Sequence, residues 1–241
     1  MTEWFEQWFG EAYLRLYPHR DDEDAAALTA LVHAEVPVRD RDVLDLACGP
    51  GRHAAQLCAL GARVVGFDLS MPLLSRAKHR TGNEHAHFVR GDMRRLPFGH
   101  ACFDVVVNLF TSFGFFSSDA QHQTVVEEAA RVLRPGGRFI IDYLHARWVA
   151  ETLVPREELH VGEQHVAIER QLVDGGRFIV KQFHLDSDGR SFVERVRLFS
   201  PDELTAMVRN AGLRVVRQFG DYGGAPLTDA APRIILIAET S

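Results

Sequence analysis

The sequence predicts an α/β fold, a doubly wound and mostly parallel sheet with helices on both faces. Three observations predict it. Short apolar runs alternate with helical patterns from Val43 to about Tyr143, which implies βαβ units with right-handed crossovers. The first run ends in a glycine-rich turn that opens a helix, Val43-Leu-Asp-Leu-Ala-Cys-Gly-Pro-Gly-Arg-His-Ala54. After Trp148 the pattern changes to strand-like runs parted by turn residues, an antiparallel excursion from the main sheet.

Residues 3–17 place Trp4, Phe5, Trp8, Phe9, Ala12 and Leu16 at helical spacing, an amphipathic helix. A break at Pro18-His-Arg-Asp21 follows, and the acids from Asp21 to Asp24 open a second helix that runs to Val36. Residues 1–38 are thus expected to form a helical cover. Val43, Leu44 and Leu46 make a buried first strand. Gly49 and Gly51 permit a tight turn and close approach of a ligand, and Gly61 suits the end of the following helix. Val64–Asp68 reads as the second strand, with Ser70-Met-Pro72 opening the next helix. His87–Arg90 and Phe103–Leu109 read as strands three and four. Ser117-Ser-Asp119 opens a helix to Leu133, and Arg134-Pro-Gly-Gly137 turns into a fifth strand ending at Asp142.

Three strands follow, Val166–Val173, Phe178–Leu185 and Phe192–Phe199, separated by Asp174-Gly-Gly176 and Ser187-Asp-Gly189. They are too few and too short for a core of their own, so 158–199 is expected to act as a lid or an interface. Ser200-Pro-Asp-Glu203 starts a helix with Ser as cap and Glu at the third position. Leu213–Phe219 and Arg233–Ala238 are the last strands. The whole chain, 1–241, is read as a single domain.

Composition bounds the function. A net charge of −6 and scattered arginines argue against a nucleic-acid surface. No apolar segment approaches 18 residues, and the first residues lack the basic and apolar regions of a signal peptide. Cys48, Cys58 and Cys102 are odd in number and unrelated in spacing, so neither a disulfide framework nor a metal site is indicated. The expectation is a cytoplasmic monomer or homodimer with no membrane or nucleic-acid partner.

Gly49-x-Gly51-x-x-Ala54 with Asp68 about 20 residues on satisfies a dinucleotide fingerprint, which leaves an NAD-dependent oxidoreductase as one reading. The wider pattern favours another. Asp45-x-Ala-Cys-Gly-Pro-Gly51, Asp68, Gly91-Asp92-Met93 and Arg134-Pro-Gly-Gly137 together resemble, in order and spacing, the motifs of class I S-adenosylmethionine (SAM) dependent methyltransferases. The resemblance covers residues 40–145 and extends more weakly to the C-terminus. It implies a Rossmann-like sheet of seven strands, the last two forming an antiparallel end, and a stand-alone enzyme that moves a methyl group from SAM to nitrogen or oxygen of a small molecule. A SAM-binding regulatory protein without turnover is the third reading.

The resemblance assigns roles. Backbone groups at Ala47, Gly49 and Gly51 would hold the methionine end, and Asp45 would accept from its ammonium. Asp68 would take the ribose hydroxyls, with Leu69 against adenine. Asp92 would accept from the adenine amino group, with Met93 beside the ring. Asn108 would lie near the methionine end. Arg52 is either a partner of the SAM carboxylate or a solvated first-turn residue. An N-terminal helix covers SAM in many relatives, so Tyr13, Tyr17, His19 and Arg20 are expected to close the site. No motif defines the acceptor: there is no Asn-Pro-Pro-Tyr, no cysteine nucleophile pair and no acid cluster for magnesium. Phe110-Thr-Ser-Phe113-Gly-Phe-Phe116 either lines an acceptor pocket or packs the turn on the sheet. His145 is the best single base candidate, with Tyr143 beside it on the same rim.

Overall fold

The computed structural model describes residues 3–16, 22–82, 86–161, 164–185, 189 and 191–240. The N-terminal segment forms α1 (Trp4–Trp8), α2 (Glu11–Leu16) and α3 (Asp22–Glu35). The single helix expected over 3–17 is broken at Phe9-Gly10, where the Gly10 N–H returns to the Trp8 carbonyl and ends the first turn early. The expected break at Pro18 lies outside the described residues, as do Tyr17, His19 and Arg20.

The main unit follows as β1 (Asp42–Leu46), α4 (Arg52–Ala59), β2 (Arg63–Asp68), α5 (Met71–Thr81), β3 (Ala86–Arg90), β4 (Phe103–Asn108), α6 (Asp119–Val132) and β5 (Leu133–Leu144). A short helix α7 (Ala146–Thr152) leads to β6 (Arg156–Val161), β7 (Gln164–Val173), β8 (Phe178–Leu185) and β9 (Ser191–Arg197). The chain returns through α8 (Pro201–Asn210), β10 (Arg214–Phe219) and β11 (Arg233–Glu239). The seven strands of the main sheet run in the order β10-β11-β5-β4-β1-β2-β3. Pairs among β1 to β5 are parallel, whereas β11 pairs antiparallel with both β5 and β10. The fold is therefore the doubly wound, mostly parallel seven-stranded sheet expected, with its antiparallel end.

Both faces of the sheet are dry. Leu28 and Val32 of α3, Val36 just after it, and Ala54 and Leu57 of α4 pack on Val43, Val64, Val105 and Ile140. On the other face, Val125, Val126 and Ala129 of α6 with Leu204 and Val208 of α8 pack on Leu44, Val106, Phe139 and Leu236. Alternation along each strand produces this division, because successive side chains point to opposite faces. Caps fix where helices begin: Ser70 accepts from the Leu73 N–H, Ser118 from Gln121, and Ser200 and Glu203 form a reciprocal capping box.

The excursion differs from expectation. It is a sheet of four strands in the order β6-β7-β8-β9, not three. β6, Arg-Glu-Glu-Leu-His-Val, alternates exposed and half-buried residues, and pairs with β7 from Arg156↔Glu169 to Val161↔Gln164. Its core is shared with the N-terminus. Trp8 stacks on Phe183 with ring centroids 4.6 Å apart and lies 4.8 Å from Phe192. Trp8, Tyr13, Leu16, Val166, Ile168, Phe183 and Leu185 make one cluster. Arg197 at the end of β9, only 2% exposed, ties this sheet to the main unit through Glu203 (2.5 Å) and Asp119 (3.3 Å).

Gly51 stands where the β1 turn meets α4, at φ 77°, and a Cβ there would lie 2.8 Å from the Cβ of Ala77 on α5. Gly51→Ala should therefore lower stability by about 2 kcal/mol, from left-handed strain and overpacking together. Denaturant unfolding measures this, and an unchanged midpoint would show that α5 yields freely.

Candidate active site

In a parallel sheet the carboxyl ends of the strands share one rim, and ligands bind above it. A cavity of about 640 Å³ lies there, within the usual range for a small-molecule site. Its floor comes from the strand ends: Ala47, Gly49 and Arg52 after β1, Asp68 and Leu69 after β2, Asp92 and Met93 after β3, and Phe110 after β4. Its cover comes from Phe5, Phe9 and Tyr13 of the N-terminal segment and Ile179, Lys181, Glu194 and Val196 of β8 and β9.

Asp68 fastens two turns together. One oxygen accepts the Gly49 N–H and the other the Ser70 N–H, both at 2.8 Å. Burial raises its carboxyl above the ordinary value, with those same bonds pulling it back. Asp92 is held by Arg94, whose guanidinium reaches to 2.5 Å. Burial pushes the Asp92 carboxyl up, but Arg94 outweighs it and leaves the group below the usual carboxylate value. Asp45 is 1% exposed, beneath the β1 turn. Burial, then the charge of Asp68, push its carboxyl up to about 8. Cys48 in the wall is kept protonated by burial beside the same two acids, and so is no nucleophile.

The turn after β4 carries backbone strain, with Phe110 at φ 56° and Thr111 at φ 60°. Asp142 at the end of β5 holds it. Its Oδ2 accepts the Phe110 N–H at 2.8 Å, and its carbonyl accepts the Thr111 N–H at 3.2 Å. Arg233, first residue of β11, donates a fork to Asp142 at 2.8 and 2.7 Å and reaches Thr111 Oγ1 at 3.0 Å. Tyr222 donates to Asp142 at 3.1 Å. The Phe110 ring thus stays in the wall, with the Arg52 guanidinium 4.7 Å from its centroid.

Ala47, Gly49, Arg52, Asp68, Leu69, Asp92, Met93, Phe110 and Tyr13 are brought together around one cavity. Asp45, Gly51 and Asn108 do not line it. Asn108 is buried and donates to the Leu46 carbonyl at 3.1 Å. Three acceptor-side expectations need correction. His145 caps α7, its Nδ1 accepting the Trp148 N–H, and it does not line the cavity. Tyr143 is fully buried and donates its hydroxyl to the Arg197 carbonyl; burial pushes the phenol far above its ordinary value. Phe113 packs in the core against Tyr143 and Phe199. Tyr143 lies on a strand face turned into the core, while capping of α7 holds His145 and aromatic packing holds Phe113, so nearness in sequence to the rim did not put these groups in the cavity.

Sequence reading missed Lys181, Glu194 and Arg233. Period-two alternation held a signal for the first two. Lys181 shares a strand face with Ile179 and Phe183, and Glu194 with Phe192 and Val196, so each is a charge on an apolar face. Arg233 opens an apolar strand and carried no such signal.

With the geometry in hand, comparison with known proteins is direct. Residues 43–137 match the family described as "Methyltransferase domain". The chain is 29% identical over 223 residues to the cypemycin N-terminal methyltransferase of a Streptomyces species, covering 89% of each. It is 26% identical over 221 residues to the dTDP-3-amino-3,4,6-trideoxy-alpha-D-glucopyranose N,N-dimethyltransferase of Streptomyces venezuelae, covering 87% of this chain and 90% of that one. Its fold matches the CcbJ methyltransferase from Streptomyces caelestis with a TM-score of 0.82 at 21% identity, covering 98% of this chain and 99% of that one. The chain is a class I SAM-dependent methyltransferase. Its cofactor is SAM, and the dinucleotide reading of the first glycine turn falls away.

The residues present fit that cofactor. Asp45 Oδ2 is buried with no hydrogen-bond partner, which suits an incoming cationic donor. At Gly49, φ 54°, nothing lies within 4 Å of where a Cβ would stand, so the turn leaves room beside its own backbone.

The Asp45 carboxyl titrates near 8 in the fold and near its ordinary 3.8 when unfolded. Between these values the folded chain holds the extra proton, so this group's contribution to stability falls as pH rises. Asp45→Asn should remove that slope. The melting temperature of the variant relative to wild type, without ligand, should rise from pH 5 to pH 9; a constant difference would show that Asp45 is ionised throughout.

Proposed function

We propose that this enzyme transfers the methyl group of SAM to an amine nitrogen of a small-molecule acceptor. One observation carries the reading: a single cavity has a floor of strand-end residues suited to SAM and a cover of aromatic and charged residues from another sheet. The two relatives named above support nitrogen, since one acts on an N-terminus and the other is an N,N-dimethyltransferase.

In this reading Asp45 accepts from the methionine ammonium, and the backbone of Ala47, Gly49 and Gly51 holds that end with Arg52 beside the carboxylate. Asp68 takes the ribose hydroxyls. Leu69 and Met93 flank adenine, and Asp92 accepts from its amino group. Asn108 keeps the methionine end in register through Leu46. Bound SAM supplies a methyl group already activated on a positive sulfur, so the chain's task is alignment and exclusion of water. Phe110, held by Asp142, presents a ring face that suits a neighbouring cation. No side chain is required as a base when the amine arrives neutral. Residues 1–38 and 158–199 act as a cover that shapes acceptor choice. A charge of −6 supports a small-molecule acceptor over nucleic acid, in a cytoplasmic monomer or homodimer.

Incubation with SAM and paired amines and alcohols, read as S-adenosylhomocysteine release, tests the proposal. Release should accompany amines and not their matching alcohols. Tight SAM binding with no release across both sets, or release with alcohols alone, would overturn it.

A further inference from the structure

We propose that Glu194 on β9 is the group that recognises the acceptor, by accepting hydrogen bonds from its amine. The inference rests on the N-methyltransferase reading above and names the residue and chemistry that would select the amine.

Glu194 is 5% exposed and stands in the cavity wall. It sits in a small patch of the second sheet, where Ile179 pairs with Val196 and Lys181 pairs with Glu194 across β8 and β9. All four line the cavity, with Phe5, Phe9, Tyr13 and Phe115 around them. The Arg197 N–H bonds to the Gly114 carbonyl at 2.8 Å, so β9 runs beside the loop that follows β4. Glu194 lies three residues back along the strand, about 10 Å from that bond at ~3.3 Å per residue. Glu194 thus enters the cavity wall from the second sheet and not from the strand ends of the first.

Trp8 Nε1 donates to Glu194 Oε1 at 2.6 Å, and Lys181 Nζ lies 3.4 Å from Oε2. Anchoring the indole does not explain the charge. A glutamine would accept from Trp8 equally well and would need no lysine. A carboxylate among aromatic rings is costly unless compensated, and Lys181 compensates it in the fold. Two partners leave part of the capacity of a carboxylate open, because its oxygens offer about four acceptor sites. An ammonium placed there is held by that open capacity; once one of its protons has passed to solvent, a remaining N–H stays on Glu194 and the lone pair is free for the methyl group. Glu6 also borders the cavity, but it is exposed, so water screens its charge.

The probes are 2-phenylethylamine and 2-phenylethanol, titrated by calorimetry into protein saturated with S-adenosylhomocysteine. Wild type should bind the amine, an ammonium near neutral pH, about ten-fold more tightly than the alcohol, because only the ammonium adds a full charge to the hydrogen bond on Glu194. Glu194→Gln keeps the Trp8 bond, and should abolish that preference while leaving S-adenosylhomocysteine affinity and melting temperature unchanged. Equal binding of the two probes by wild type, or a preference that survives in Glu194→Gln, would overturn the proposal. Failure of wild type to bind S-adenosylhomocysteine would instead strike the cofactor reading beneath it.

Discussion

The rim of this molecule depends on one buried carboxylate. Asp142 is fully buried and accepts from the Arg233 guanidinium, the Tyr222 hydroxyl and the Phe110 N–H. Those donors come from β11, the loop before it and the turn after β4, so one side chain joins segments far apart in sequence. A carboxylate in such a place is tolerated only when paired and fully hydrogen-bonded. In return it holds two consecutive left-handed residues, each of which costs about 1–3 kcal/mol in strain. The antiparallel end of the sheet thus has a functional consequence. Arg233 reaches the rim because β11 runs against β5, with Ile235 opposite Asp142.

The second constraint is division of labour between two sheets. The parallel sheet supplies strand ends, which are rigid and point to one side. Asp68 locks the first two of its turns together through Gly49 and Ser70. The β6–β9 sheet supplies a wall whose side chains are independent of that framework. The N-terminal helices fill the space between, with Trp4 donating to the Phe115 carbonyl and Trp8 to Glu194. In the proposed reading, changes on β8 and β9 alter the acceptor side and leave in place the turns that would hold SAM.

Much of this was legible in sequence, and the division between readable and unreadable parts is physical. Strands β1, β2, β4 and β11 announce themselves because both faces are buried, which demands apolar runs. Asp45, Asp68 and Asp92 were found because each stands at or just past the carboxyl end of a strand, and the parallel sheet gathers those ends. β6 was missed because a half-exposed edge strand of charged residues has no apolar run. Tyr143 and His145 were misplaced because sequence shows where a strand ends but not which way each side chain turns there. Alternation marks Lys181 and Glu194 as charges on apolar strand faces, but only the tertiary placement of the second sheet brings those faces to the cavity.

The central claim is that SAM lies on the strand-end floor and the acceptor lies against β8 and β9. A crystal structure with S-adenosylhomocysteine bound tests it most directly. The account expects ribose hydroxyls at Asp68, adenine between Leu69 and Met93 near Asp92, and the sulfur facing open space bounded by Phe110 and Glu194. A nucleoside seated instead against Ile179, Lys181 and Glu194 would contradict it.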